Sequence, residues 1–159
     1  MLHDLKIKLT SPILGAIASG TKADTIYRLR RGIKDGILID VELWCWAIEE
    51  AAKSLSLSTV HPECVRILNE YRAPTLGLYT KRYKHPILLT ESARRYEAIS
   101  TGAVITMPVE IVPCRANGKM PDEDEMRLAL SWIGKWVGIT QWGHEFNYGR
   151  FTLISFEPA

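Results

Sequence analysis

Apolar and polar residues alternate in two segments of the chain. Residues 5–9 place Leu5, Ile7 and Leu9 on one side and Lys6 and Lys8 on the other, which is the two-residue period of a half-buried strand. Residues 102–112 alternate in the same way, with Ile105, Met107, Val109 and Ile111 on one side, and Pro108 within this segment indicates an edge or a bulge. A third apolar segment, about 150–156, predicts the last strand.

Two longer segments have the spacing of amphipathic helices. Asp40 is a suitable cap for a helix over about 41–55, and Pro121 with the four acids of 122–125 opens a second helix that ends near Val137. The predicted buried stripe of the first helix is Val41, Trp44, Cys45, Ile48, Ala52 and Leu55; that of the second is Met126, Ala129, Leu130, Ile133 and Val137, widened by Leu128, Trp132 and Trp136.

The remaining segments are less regular. Residues 15–37 predict a long basic connection, with a short hairpin near its end at Asp35-Gly36. Residues 56–90 predict two or three short strands, near 64–68, 75–79 and 86–89, around a protruding basic hairpin insertion. The order is then βαββαβ in a single domain, an α+β sandwich of the ferredoxin-like (RRM-like) kind. Its antiparallel sheet has both helices on one face, which leaves Lys6 and Lys8 on the open face, either for a ligand or simply for solvent.

Composition and charge narrow the classes of function. The 159 residues have a net charge of only +2, but basic residues cluster within 22–34 and 81–95, which suggests a local anionic partner or solvated faces. The three cysteines contain no C-x-x-C pair, which favours a reduced, cytoplasmic protein without a zinc knuckle or disulfide framework. No segment has the pattern of a signal peptide or a membrane span. We expect no metal and no cofactor.

The turn before the last strand combines glycines, aromatics and a cation. Gly143 and Gly149 allow close backbone approach, Phe146 and Tyr148 offer faces for base stacking, and Arg150 can reach a phosphate. The alternative is a structural turn whose aromatics close the edge of the core. Together with the basic segments, the turn gives a set of expected RNA contacts: Lys6, Lys8, Arg28, Arg30, Arg31, Lys81, Arg82, Gly143, Phe146, Tyr148, Gly149 and Arg150.

Three segments in this order resemble the RAMP superfamily, the ferredoxin-like RNA-binding proteins of CRISPR systems. They are residues 5–12 with the loop and helix that follow, residues 95–105 with the pattern Tyr-Glu-x-x-x-x-Gly, and the final helix leading into the turn 143–151. The resemblance implies that Asn147-Tyr148-Gly149-Arg150-Phe151 touches RNA. The first half of the turn departs from the family, because it has bulky residues where more glycines are usual.

The resemblance leaves three functions open. The leading hypothesis is a non-catalytic protein that binds single-stranded guide RNA in a CRISPR-type ribonucleoprotein. A second is a protein-interaction module that joins, caps or imitates an effector complex, or that self-associates. A third is a metal-independent endoribonuclease, for which His144 and His85 are weak acid–base candidates. Some members of the family cut target RNA with an aspartate in the loop after the first strand, and Asp24 occupies a comparable position.

Overall fold

The computed structural model describes residues 1–31, 37–39, 41–67, 78–80, 87–91, 93–115, 117–139 and 147–159. Two α-helices, α1 (Val41–Ser54) and α2 (Glu123–Trp136), combine with twelve strands in these residues. The strands are β1 (Leu2–Leu9), β2 (Ile13–Leu14), β3 (Ile17–Thr21), β4 (Asp24–Arg28), β5 (Arg30–Arg31), β6 (Ile37–Ile39), β7 (Val65–Ile67), β8 (Leu78–Thr80), β9 (Ile87–Glu91), β10 (Arg94–Ile99), β11 (Val104–Ile111) and β12 (Phe151–Pro158).

The main sheet has the strand order β12-β1-β11-β7, and every neighbouring pair in it is antiparallel. Its central strand, β1, alternates between exposed and buried residues along its whole length. The buried side of the sheet shares one apolar core with Trp44 and Ile48 of α1 and with Leu130 and Ile133 of α2. Both helices therefore cover one face of the main sheet, and among the described residues the opposite face, which carries the exposed Lys6 and Lys8, stays open.

Helix α2 shows how local chemistry sets this packing. Asp122 caps its N-terminus by accepting a hydrogen bond from the Glu125 amide at 3.0 Å, which satisfies one of the free amides of the first turn. All five residues of the predicted stripe are buried, and that prediction is confirmed. The predicted widening is wrong at Leu128 and Trp136, which are both 57% exposed, and only Trp132 packs against the core.

Helix α1 confirms Trp44 as a core residue and leaves Trp46 exposed. Its predicted stripe is wrong at the C-terminal end, because the helix stops at Ser54 and Leu55 is exposed. Ala47 and Ala51, which the predicted stripe omitted, are fully buried and permit close contact with the rest of the core. The predicted cap, Asp40, lies outside the described residues.

The described residues also form two smaller sheets. The first has the order β2-β10-β4-β3, and β9 also pairs with β10. The second has the order β5-β6-β8. The predicted long connection over 15–37 is therefore wrong in its first half, which forms the β3–β4 hairpin. Its second half agrees with the predicted hairpin, since β5 pairs with β6, while Asp35 and Gly36 lie outside the described residues.

The sequence did not predict strand β10. The strands β8 and β9, which lie near two of the predicted short strands, belong to two different sheets. β8 pairs with β6 and β9 pairs with β10. The last four residues of β10 are all buried, including Glu97, so the segment lacks the alternation that marks a half-buried strand. Among the described residues, no helix combines the length and the apolar character that crossing a bilayer requires.

Candidate nucleic-acid interface

The open face of the main sheet carries two lysines at its centre. Lys6 lies opposite Thr106 of β11, and Lys8 lies opposite Thr152 of β12. All four side chains are exposed. Side chains directly opposite each other in antiparallel strands have Cβ atoms about 5 Å apart, so each lysine lies beside one threonine. On β11, Lys8 also lies opposite the exposed Val104. We call these four residues, Lys6, Lys8, Thr106 and Thr152, the lysine patch.

The open face changes sign along its strands. Two residues before Lys6, Asp4 lies opposite Glu157, and Glu110 follows at the same end of the sheet, opposite Leu2. Within the described residues, neither Lys6 nor Lys8 forms an ion pair with these acids. The positive charge of the described open face is therefore concentrated at the end of the sheet where β1 ends and β12 begins.

A cleft opens beside this end of the sheet, between α2 and the edge strand β12. It has a volume of about 550 Å³, and Thr152 of the lysine patch is part of its wall together with Lys135 and Arg150. The helix approaches β12 closely here, because a Cβ on Gly134 would lie 2.2 Å from the Phe151 carbonyl oxygen. The remaining lining residues are Thr10, Ser11, Ser131, Gly134, Asn147, Phe151 and Leu153.

Arg150 is held by the protein itself. Its guanidinium donates to the Lys135 carbonyl at the end of α2, at 2.5 Å, and to the Asn147 side-chain oxygen at 3.2 Å. Cations near the C-terminus of a helix satisfy its free carbonyls. Burial lowers the pKa of Arg150, and its Nε atom is buried without a hydrogen-bond partner. Arg150 therefore has a structural role in fixing the turn to the helix, and its Nε cannot contact a ligand without movement.

The described end of the glycine turn docks onto the β1–β2 connection. The Gly149 amide donates to the Pro12 carbonyl at 2.8 Å, and Gly149 itself has a φ of 66°, a conformation that favours glycine. Tyr148 is half-buried and packs against the small cluster of Leu14, Tyr96 and Ala98. These contacts agree with the structural alternative for this half of the turn. Gly143, His144 and Phe146 lie outside the described residues.

Arg28, an expected RNA contact within the predicted basic connection 15–37, also has a partner within the chain. Arg28 lies 3.5 Å from the carboxylate of Glu97, and the other oxygen of that buried carboxylate accepts the Leu29 amide at 3.0 Å. Asp24, the weak catalytic candidate, lies in the β3–β4 hairpin and pairs with Arg95 at 2.8 Å. Both ion pairs thus connect β4 to β10.

The other expected contacts are less well defined. Arg30 and Arg31 form strand β5, but their side chains are not described, and Lys81, Arg82 and His85 lie outside the described residues. The structure places Thr106 and Thr152 opposite Lys6 and Lys8, and Lys135 beside Arg150 in the cleft. The polar side of the predicted 102–112 strand already contained Thr106, whereas Lys135 and Thr152 meet at the cleft only through the packing of α2 against β12.

No protein-family model matches the chain, and no curated protein matches it.

Proposed function

We propose that this chain binds single-stranded RNA in the cytoplasm as a RAMP-like protein of a CRISPR-type ribonucleoprotein. One observation carries the proposal: the two lysines at the centre of the open sheet face have no acidic partner among the described residues. The strand order β12-β1-β11-β7 with α1 and α2 on one face supports a ferredoxin-like topology for the main sheet, since the split βαβ arrangement interleaves its strands in this way.

The chemistry of the patch favours contacts to the RNA backbone. Lysine is a compact point charge that binds phosphate without a fixed angle, and threonine hydroxyls donate to phosphate oxygens. The described part of the open face carries no aromatic side chain on which a base could stack. We therefore expect affinity that depends strongly on salt and weakly on base sequence.

Binding of labelled single-stranded RNA across a salt series tests the proposal. Because each phosphate neutralised on a single strand contributes about 0.7 to the slope of log K against log salt, Lys6→Ala/Lys8→Ala should lower the slope by about 1.4. Lys53→Ala is the matched control: Lys53 is an exposed lysine of α1 paired with Glu49 at 3.2 Å, on the covered side of the sheet. Equal slopes for the double variant and the control would contradict the proposal.

Rerunning the bound RNA on a denaturing gel separates binding from cleavage. Intact RNA is the result expected of a non-catalytic protein. Shortened RNA with the wild type, and intact RNA with a His144→Ala/His85→Ala variant, would instead favour the endoribonuclease. A loss of cleavage only with Asp24→Ala would assign the reaction to the β3–β4 hairpin.

A second candidate function rests on the outer side of α2. Leu128 and Trp136 are each 57% exposed and stand eight residues apart, so with Trp132 between them they share one side of the helix. Exposed tryptophan is enriched at protein interfaces. We propose as the alternative that this side binds a protein, either a CRISPR effector subunit or a second copy of the chain. Two results together would favour this alternative. The purified protein would carry no nucleic acid, and it would self-associate in a way that the Leu128→Ser/Trp136→Ser variant does not.

A further inference from the structure

Two cysteines that are distant in the sequence meet at the edge of the main sheet. The Sγ atoms of Cys64 and Cys114 and a carboxylate oxygen of Glu63 all lie within 4.8 Å of one another. The Cys114 thiol donates a hydrogen bond to the Glu63 carboxylate at 2.9 Å. Cys64 is fully buried, whereas Glu63 is exposed, so the cluster has one side in the core and one side open to solvent.

The sheet register explains why these residues meet. Val65 of β7 pairs with Ile111 of β11, and one step beyond that pair the Val112 amide donates to the Cys64 carbonyl at 2.9 Å. Val112 is therefore opposite Cys64. Because alternate residues of an extended chain point to the same side, Cys114, two residues after Val112, lies on the same side as Cys64. The cluster therefore depends on strand pairing and not on a local sequence motif.

Both cysteines are held in tight turns. Residues Pro62–Cys64 form a 3₁₀ turn, in which the Cys64 amide donates to the His61 carbonyl at 3.0 Å. The Cys114 amide donates to the Lys119 carbonyl at 2.9 Å, and the Cys114 carbonyl accepts the Gly118 amide at 2.7 Å. A ligand that binds here would meet groups whose backbone positions are already fixed, which lowers the entropy cost of binding.

The donor set indicates the kind of ligand. Two thiols and a carboxylate are ligands of zinc and other soft or borderline divalent cations, whereas magnesium and calcium take oxygen ligands only. With Zn–S bonds of about 2.3 Å, two sulfurs in a tetrahedral site are roughly 3.8 Å apart, so the cluster needs to contract by about 1 Å at most. His61 lies next to it, with Nδ1 3.9 Å from a Glu63 oxygen.

We propose that Cys64, Cys114 and Glu63 bind one zinc ion, with a fourth coordination position next to His61. Binding would release two thiol protons to solvent and form two metal–thiolate bonds without any change of oxidation state. The ion would join the start of β7 to the segment that follows β11, and so would fix the short edge strand of the main sheet. This inference is independent of the proposed RNA binding.

The surroundings of the cluster also shift the pKa of two of its members. Burial raises the pKa of the Cys64 thiol to about 12, and the hydrogen bond with Cys114 and the charge of Glu63 act in the same direction. The Glu63 pKa is lowered, chiefly by the hydrogen bond from Cys114 and further by the charges of His61 and Arg115.

Titration of the reduced, chelator-treated full chain with Co²⁺ alone tests the proposal. We expect one Co²⁺ per chain and a thiolate-to-cobalt charge-transfer band that an equimolar addition of Zn²⁺ abolishes. Cys114→Ser keeps a hydrogen-bond donor for Glu63 but loses a thiolate. The band should therefore weaken, and the affinity should fall by more than the ~10-fold that is the smallest typical effect of changing a supporting residue. Cys45→Ser is the matched control, because Cys45 lies in α1, and it should bind as the wild type does.

Thermal unfolding with and without Zn²⁺ keeps the test decisive if a variant folds poorly. Zn²⁺ should raise the melting temperature of the wild type and of Cys45→Ser, and should not raise that of Cys114→Ser. The absence of a thiolate band in the reduced wild type would overturn the proposal. So would equal bands in Cys114→Ser and the wild type, or equal losses in Cys114→Ser and Cys45→Ser.

Discussion

The two sides of strand β1 carry alternate residues of the same eight-residue segment, yet they have opposite roles. On one side Leu5, Ile7 and Leu9 are almost completely buried beneath the helices. On the other side Lys6 and Lys8 remain exposed, with no ion pair among the described residues. A single alternating segment can therefore place the residues that stabilise the fold on one side and exposed residues that can contact a ligand on the other.

The arginines sharpen the same contrast. Arg28 pairs with the buried Glu97, Arg127 donates to the Phe156 carbonyl at 2.9 Å, and Arg150 donates to the Lys135 carbonyl. Each of these guanidinium groups connects two parts of the chain. We therefore expect substitution of these arginines to act first on stability, and substitution of Lys6 and Lys8 to act first on binding.

The largest expected effect is on the covered side. Ile7→Ala removes most of a fully buried side chain from the centre of the core, so it should lower the free energy of unfolding by about 2–5 kcal/mol. Urea unfolding measures the change. The fraction that stays folded should still bind RNA with the wild-type salt slope, and a changed slope would break the separation of the two sides.

Gly134→Ala tests the contact between α2 and β12. Helix propensity alone would make the variant about 1 kcal/mol more stable, but the new Cβ would lie 2.2 Å from the Phe151 carbonyl oxygen. We expect the clash to prevail and the variant to lose about 1–3 kcal/mol, as measured by urea unfolding. Gly118→Ala is a useful control for Cβ contacts, since nothing lies within 4 Å of its added Cβ, although its positive φ adds some backbone strain.

Arg150→Ala should have an intermediate effect. It removes hydrogen bonds to the Lys135 carbonyl and to Asn147, which should lower the free energy of unfolding by about 1–2 kcal/mol. At salt concentrations and temperatures where the variant is fully folded, its RNA affinity should change less than that of Lys6→Ala/Lys8→Ala. A larger loss of affinity would show that Arg150 binds phosphate and would move the interface toward the cleft.

The smallest effect on stability is expected on the open side. Lys6→Ala and Lys8→Ala should each change the free energy of unfolding by no more than about 0.5 kcal/mol, as is usual for exposed residues without special contacts. Thermal unfolding of each variant, compared with that of Lys53→Ala, checks this expectation. A loss of several kcal/mol would mean that the lysines hold the fold, and their loss of RNA binding could then not be interpreted.

The sequence predicted the parts of the fold that repeat a simple period. Alternation predicted β1 and β11, and helical spacing predicted four of the five buried residues of α2 and the buried Val137 at its C-terminal cap, but not Gly134. It missed β10, whose buried half includes the charged Glu97, and the β3–β4 hairpin, whose residues are mostly exposed. A pattern based on apolar residues cannot identify strands that are stabilised by a buried carboxylate and its partners.

The candidate sites depended even more on contacts between distant segments. The sequence identified Lys6 and Lys8 as residues of one side of a strand, but the nearness of Thr152, Lys135 and Arg150 follows from the packing of α2 against β12. Likewise, Cys64 and Cys114 meet because Val65 pairs with Ile111. Strand register is not encoded in the spacing of the cysteines, so spacing alone gave no metal site.

The most direct measurement is an NMR titration of the isotopically labelled chain with single-stranded RNA, in which the backbone amide of each residue reports local change. We expect the largest shifts at Lys6, Lys8, Thr106 and Thr152, with small shifts along the outer side of α2. Their loss in Lys6→Ala/Lys8→Ala and retention in Lys53→Ala would support the open face as the interface. Shifts confined to α2 around Leu128 and Trp136, or no shifts at all, would contradict it.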